Sequence, residues 1–280
     1  MGSKKANIDK QVVKDFGDEW CIFDQSGLDE RDLNELFNSY FSIFPWHVLS
    51  ENTVGFDFGC GTGRWAKLLA PRIGLLHCID ASYEALEVAK KNLADNKNCI
   101  FHVASVDDIP LENSSIDFGY SLGVLHHVPD TEAGISSCVS KLKKGAPFLI
   151  YLYHAFDGKP TWYRYLWKLS EMCRYVISKM PFKIRYFICQ TIALMVYWPL
   201  SRFALVFERI TGHNMDSFPL SDYRKRSFYV LRNDALDRFG TKLEQRFTRE
   251  QIRKMMERSG LGNIIFSTNR PYWCAVGYRK

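Results

Sequence analysis

The stretch VGFDFGCGTGRW, residues 54–65, concentrates residue types that could do chemistry. An apolar run ends in Asp57. Three glycines, Gly59, Gly61 and Gly63, follow at alternate positions before a helical pattern begins. Glycines so placed let the backbone turn sharply and approach a ligand closely, since no Cβ stands in the way. The spacing restricts the ligand. A dinucleotide fingerprint reads G-x-G-x-x-G/A; counted from Gly59 it needs a small residue where the chain has Arg64. The third glycine comes one residue early, which argues against a pyrophosphate and for a smaller nucleoside ligand. A nicotinamide oxidoreductase is disfavoured on the same ground. Further along, YSLGVLHHVPD, residues 120–130, holds two adjacent imidazoles, His126 and His127. A neutral imidazole can take a hydroxyl proton near pH 7, although paired histidines in a turn often serve structure or line a pocket instead. The eight cysteines form no C-x-x-C pattern and no Cys/His cluster. Buried free thiols are therefore expected, with neither a disulfide framework nor a metal site.

The elements that must position these groups alternate. Strand patterns cover Thr53 to Phe58, Leu75 to Asp80, Cys99 to Ala104, Ile116 to Ser121 and Pro147 to Tyr153. Helical patterns lie between them, from about Arg64, from Tyr83 to Asp95, and from about Thr131 to Lys143. Such alternation implies a parallel sheet. The first clear helix runs from 30 to 44, with Leu33, Leu36, Phe37 and Phe41 at helical spacing; Trp20 and Phe23 precede it. Near the C-terminus Thr248-Arg249-Glu250-Gln251 reads as a capping-box start. Two strands, Asn263 to Thr268 and Trp273 to Tyr278, close the chain.

The loop D-x-G-x-G-x-G at Asp57–Gly63 resembles motif I of class I S-adenosylmethionine-dependent methyltransferases. The resemblance continues from Thr53 to Tyr153 and returns from Thr248 to the C-terminus. The segment Tyr120 to Asp130 resembles the stretch after strand four in small-molecule methyltransferases of ubiquinone and menaquinone biosynthesis. The resemblance implies an α/β, Rossmann-like fold: a seven-stranded, mostly parallel sheet with a C-terminal β-hairpin, the last strand antiparallel, and a helical insertion after strand five. It implies four regions: an N-terminal helical cap (1–50), the cofactor-binding core (51–155), the insertion (156–246), and a C-terminal helix and hairpin (247–280). It implies S-adenosylmethionine as cofactor, with Gly59, Cys60, Gly61 and Gly63 against its methionine part and Asp57 orienting its ammonium. Asp80, with Ala81 beside it, would accept both ribose hydroxyls, although an Asp there also fits a helix N-cap. The family often has an acid after strand three for the adenine amino group. Ser105 holds that position here, followed by Val106, with Asp107 as an alternative. Ser121 and His126 would line the sulfonium side.

Composition bounds the rest. A chain of 280 residues with 46% hydrophobic and 24% charged residues suits one elaborated globular domain. MGSKKANIDK has no apolar signal region, so a cytoplasmic protein is expected. Lys159 to Arg209 holds nine Lys/Arg against two Asp/Glu, more than the whole-chain excess of +6. This aromatic, basic insertion suits a pocket lid, a homodimer interface, or peripheral contact with the inner face of an anionic membrane. Its apolar run Phe187 to Phe207 contains Pro199, which should break a membrane-spanning helix. The polar segment Asp234 to Thr241, with Glu244 and Arg246, reads as a substrate-contacting lid or a salt-bridged loop. Asp237 joins His126 and His127 as a candidate catalytic residue. The expected function is methyl transfer to a small-molecule or lipid- or glycan-linked acceptor, with oxygen the favoured atom. N- or C-methylation of a macromolecule and cofactor binding without turnover are the alternatives. Nucleic acid is not an expected partner: Ser121-Leu122-Gly123 stands where a base-flipping Asn-Pro-Pro-Tyr motif would.

Overall fold

Apolar, glycine-containing runs build the centre of the sheet. In the computed structural model, which describes residues 6–155, 161–215 and 218–280, the strands are β1 (Val54–Phe58), β2 (Leu75–Asp80), β3 (Cys99–Val103), β4 (Phe118–Leu122), β5 (Pro147–Tyr151), β6 (Leu261–Phe266) and β7 (Cys274–Arg279). They form one sheet in the order β3-β2-β1-β4-β5-β7-β6. β1 to β5 pair in parallel, and β7 runs antiparallel to both β5 and β6. This is the α/β architecture the sequence implied. β4 is buried along its whole length, as strands covered on both faces are. The strand glycines have a packing reason. A Cβ at Gly55 would lie 2.2 Å from the Phe118 ring, and one at Gly119 would lie 2.3 Å from the Phe56 ring. Each ring covers the glycine that is its own cross-strand partner, since Gly55 pairs with Phe118 and Phe56 with Gly119.

The helices are α1 (Lys10–Ile22), α2 (Glu30–Tyr40), α3 (Arg64–Leu69), α4 (Tyr83–Asn92), α5 (Thr131–Lys141), α6 (Thr161–Ile177), α7 (Phe182–Ile192), α8 (Trp198–Thr211), α9 (Phe228–Gly240) and α10 (Arg249–Arg258). Side-chain caps start several of them. Ser82 Oγ accepts from Ala85 N at the head of α4, and Asp130 Oδ1 accepts from Ala133 N at the head of α5. The capping box at α10 is present, with Gln251 N donating to Thr248 Oγ1 and Thr248 N donating to Gln251 Oε1.

The chain forms two compact units: Met1–Cys21, Glu35–Lys159 and Leu243–Lys280 in the first, Ile22–Asn34 and Pro160–Lys242 in the second. Residues 1–50 are thus shared between the units, and 243–246 belong to the first. The insertion's expected start, Phe156, lies outside the described residues. In the second unit the carbonyls at the end of α9 and just past it are held by two buried arginines. Arg174 donates to the Thr241 and Lys242 carbonyls at 2.7 and 2.9 Å, and Arg185 donates to the Gly240 carbonyl at 3.0 Å. Cations suit this end of a helix. Burial opposes ionisation of Glu171, but its bonds from Arg174 and Arg238 outweigh it and bring the carboxyl down to about 2.

Three sequence expectations are corrected. A helix, α1, precedes the one expected at 30–44, and Trp20 lies within it. The polar segment 234–241 is not a loop: Asp234 to Gly240 complete α9, with Ala235, Leu236 and Phe239 buried. Pro199 does not break its helix. Residues Phe182–Thr211 run on as one helical stretch through a π turn at Ala193–Tyr197. Proline has no N–H and its ring collides with the carbonyl four residues back. The wider turn, in which Trp198 N donates to Ala193 O, precedes Pro199 and accommodates it.

Candidate functional site

The strand order reverses between β1 and β4, because β2 lies on one side of β1 and β4 on the other. In open α/β sheets such a switch point, at the carboxyl ends of the strands, is where ligands bind. Asp57 stands near that end of β1, and Ser121 near that end of β4. The loop leaving β1 has Gly59, Gly61 and Gly63 at φ of 75°, 52° and 76°. These left-handed values strain any residue with a Cβ. A Cβ at Gly59 would also lie 2.3 Å from Val124 Cγ2. The loop is tied to β2: Gly59 N and Cys60 N donate to the Ile79 carbonyl at 2.7 and 3.0 Å. Asp80 adds a second tie, its Oδ2 accepting from Gly61 N at 2.9 Å and its Oδ1 from Ser82 N at 2.8 Å. Ser82, not Asp80, is the N-cap of α4. Asp80 therefore joins the glycine loop to the start of α4, and two N–H donors fill only part of a carboxylate's acceptor capacity.

Several buried polar atoms near the carboxyl ends of β1 and β4 have no hydrogen-bond partner among the described residues. They include Asp57 Oδ2, Tyr120 Oη, Ser121 Oγ, His127 Nε2 and both ring nitrogens of His126. Buried polar groups in native proteins are normally paired, so these atoms mark where a polar ligand belongs. Burial pushes the Asp57 carboxyl up to about 8, against the Tyr120 hydroxyl and Arg64, while the charge of Asp80 adds to the rise. Burial also raises Asp80, against the N–H groups of Ser82, Gly61 and Ala81. It pushes the Cys60 thiol up to about 11, which keeps it a neutral packing group.

Beyond β4 a short 3-10 turn, Leu125–His127, buries both histidines. Tyr153 stacks on His126 with ring centroids 3.8 Å apart, and His127 lies 4.0 Å away on the same measure. Burial holds the His126 imidazole well below its ordinary value, and His127 and Arg246 lower it further. His127 Nδ1 lies 2.6 Å from the Leu243 carbonyl, which only accepts, so Nδ1 carries a proton and donates it there. Gln245 ties the same turn down, its N donating to the His126 carbonyl and its side chain to the Val128 carbonyl.

The N-terminal segment closes around the loops of this unit. Trp20 Nε1 would lie 3.2 Å from a Cβ at Gly61, and Arg64 sits 5.8 Å above the Trp20 ring. Phe16 meets His127 edge-on at 4.9 Å. Asn7 pairs with Asp130 through its side chain, and its N–H donates to Asp107. Asp107 is thus engaged by the chain itself. Ser105 and Ala81 are half-buried at the ends of β3 and β2. Val106 belongs to the core around Phe56 and Ile79. Phe23 does not accompany Trp20; it packs on Tyr229 in the second unit. Asp237 is also in the second unit, on α9, while His126 and His127 are in the first. Tyr153, Arg64, Leu243 and Gln245 were not legible as site residues. The alternation Tyr151-Leu152-Tyr153 at the end of β5 was the one available signal.

Residues 56–150 match the family described as the methyltransferase domain. Residues 56–150, about a third of the chain, are thus a methyltransferase domain. This methyltransferase domain is 32% identical over 108 residues to phosphoethanolamine N-methyltransferase 2 of Caenorhabditis elegans, covering 38% of this chain and 25% of that one. Ubiquinone biosynthesis O-methyltransferase of Neisseria meningitidis serogroup C is 25% identical over 188 residues, covering 65% of this chain and 75% of the relative. The match thus spans a quarter of the nematode relative's length. A solved Thermotoga maritima protein, described as a possible histamine N-methyltransferase, shares the fold at 13% identity and a TM-score of 0.51, covering 96% of this chain and all of that one.

Proposed function

We propose that the protein transfers the methyl group of S-adenosylmethionine to a small-molecule or lipid- or glycan-linked acceptor in the cytoplasm, with oxygen as the acceptor atom. One observation carries the reading: at the carboxyl ends of β1 and β4, Asp57 Oδ2, Ser121 Oγ and the His126 nitrogens are buried with no partner among the described residues, on strands and turns next to a glycine loop tied to Asp80. That arrangement fits a ligand with an ammonium, a ribose and a planar base. The cofactor supplies an already activated methyl group on sulfur. The chain's part is to bind, align and exclude water. Asp57 holds the ammonium, the remaining lone pairs of Asp80 accept the ribose hydroxyls, and the loop backbone approaches closely because it has no Cβ. Alignment of two reactants can supply several kcal/mol, up to roughly 7–11 in favourable cases. A hydroxyl acceptor must lose a proton. His126 is a poor base because burial depresses it. His127, whose Nδ1 is held by the Leu243 carbonyl, presents Nε2 and takes that role.

The two curated relatives act, by their names, on nitrogen and on oxygen. The acceptor atom therefore rests on the broader match to the oxygen-specific one, and nitrogen is the second reading. Label-transfer decides. Purified protein, methyl-labelled cofactor and a metabolite and lipid extract should yield a labelled product whose methyl survives acid as an ether does. A labelled amine would select the second reading. Cofactor binding with no labelled product from any extract would reduce the protein to a binding module.

A further inference from the structure

The second unit holds a surface that methyl transfer does not use. α6 has two faces of different character. One, through Trp167, Arg174 and Ile177, is turned into the protein. The other, through Trp162, Tyr165, Leu169, Met172 and Val176, recurs at three- and four-residue steps and is exposed, Leu169 at 59% and Met172 at 68%. At 3.6 residues per turn, Arg164, Lys168, Tyr175 and Lys179 form a row beside it. Lys179 Nζ sits 3.4 Å over the Tyr175 ring. The continuous helix Phe182–Thr211 shows the same character. It is long and apolar enough to cross a membrane by length and composition, yet only 28% of its apolar window is buried. Phe187, at 72%, and Met195, at 68%, stand in solvent.

Charge selects what covers this surface. Between 161 and 211 both acidic residues are committed to arginines: Glu171 to Arg174 and Arg238, Glu208 to Arg224. Every exposed charge in that stretch is basic, namely Arg164, Lys168, Lys179, Lys183 and Arg209. A helix lying in a membrane interface has this composition, with aromatic and aliphatic groups on one side and Lys/Arg alongside. The Phe182–Thr211 helix is also fastened along its other side. Arg185 donates to Gly240 O, Gln190 accepts from Arg232, and Arg202 donates to the carbonyls of Arg224 and Arg226. A spanning helix would have to carry these polar groups and their partners into hydrocarbon.

We propose that the exposed apolar-and-basic face of α6 and the Phe182–Thr211 helix docks in plane onto an anionic phospholipid bilayer. The inference goes beyond methyl transfer and does not depend on it. Flotation of the full-length protein with vesicles tests it, using 1:1 phosphatidylglycerol/phosphatidylcholine against phosphatidylcholine alone, at 0.1 and 0.5 M NaCl. Partition onto the anionic vesicles should be at least about tenfold stronger and should collapse at high salt, since each basic residue near such a surface contributes about fivefold. Reversing two charges, Lys168→Glu with Lys183→Glu, should weaken it by about 25-fold or more. Leu169→Glu with Phe187→Glu should abolish it. All four side chains are exposed, so melting temperature and cofactor affinity should stay at wild-type values. Retained cofactor binding without flotation would sink the docking surface and leave the methyltransferase reading intact. Equal binding to both vesicles, or binding that resists salt and charge reversal, would overturn the anionic partner. A dimer in light scattering that Leu169→Glu with Phe187→Glu dissociates would overturn the membrane in favour of a second copy of the chain.

Discussion

The acids of the first unit divide the work by what already surrounds them. Asp80 faces two backbone donors and is held in shape by them. Asp57 is sealed in, with Oδ2 unpartnered among the described residues. Replacing Asp80 by Asn keeps the size and one acceptor but removes the charge that strengthens a ribose hydrogen bond. Affinity for S-adenosylmethionine should fall by about 1.5–3 kcal/mol, roughly ten- to more than a hundredfold by calorimetry, with a smaller loss of thermal stability. Equal affinity would confine Asp80 to holding Gly61 and Ser82. Asp57 yields a pH dependence. Its folded value, about 8, lies above the ordinary 3.8. Its neutral form therefore stabilises the fold fully below about pH 4, and that stability is lost as pH rises through 8. A cationic ligand favours the ionised form instead. Binding at pH 7 should release a proton, and affinity should climb with pH towards 8 and then level, by at most about tenfold per unit. Calorimetry in buffers of different ionisation enthalpy reads the proton directly. Affinity that falls over the same range would remove Asp57 as the ammonium's partner.

At the scale of elements, what was legible was what is local. The strand from Leu75 to Asp80 stands where its residues put it, and so does the capping box at Thr248, because periodicity and capping need only near neighbours. Thr248→Ala should lower stability by about 1 kcal/mol in a urea midpoint while leaving cofactor affinity unchanged. The misreadings needed a distant partner. α1 carries Gly17 in its middle, a residue that discourages helices. A Cβ there would lie 2.6 Å from Ser82 Oγ, so the glycine answers to a contact 65 positions away. α9 looked like a loop because Asp234 and Asp237 sit among its apolar residues. The arginines that steady its C-terminus come from α6 and α7. The glycine loop and Asp80 were legible because they act through the backbone that follows them. Tyr153, Leu243 and Gln245 were not, because only the fold brings them to the histidines.

For the whole molecule, two compact units with different surface chemistry imply two separable responses. Hydrogen exchange should show this in one protein preparation. Saturating cofactor should slow exchange at 57–63, 80–82 and 121–127, and at 100 times its Kd should stabilise the protein by about 2.7 kcal/mol. Anionic vesicles should instead slow exchange along 161–177 and 182–211. Protection of the first set by vesicles alone would show that the two responses are not separable.

The π turn at Ala193–Tyr197 works as a vernier on the helix that contains it. The residues it turns inward, Arg185, Cys189, Ala193, Tyr197 and Ser201, are spaced by fours. An ideal α-helix would let such a row wander by roughly 160° over those sixteen residues. One widened turn takes back about 100° of that drift. Outside, the same correction moves the apolar positions by one residue, from the 184, 187, 195, 198 rhythm to 203, 206, 207, 210. A one-residue deletion in 193–197 would therefore close the wide turn into an ordinary α-helical one and keep the phase, whereas a one-residue insertion there would throw every side chain after it out of phase. The insertion would turn Arg202 and Glu208 towards the outer face and Phe203 and Phe207 away from it.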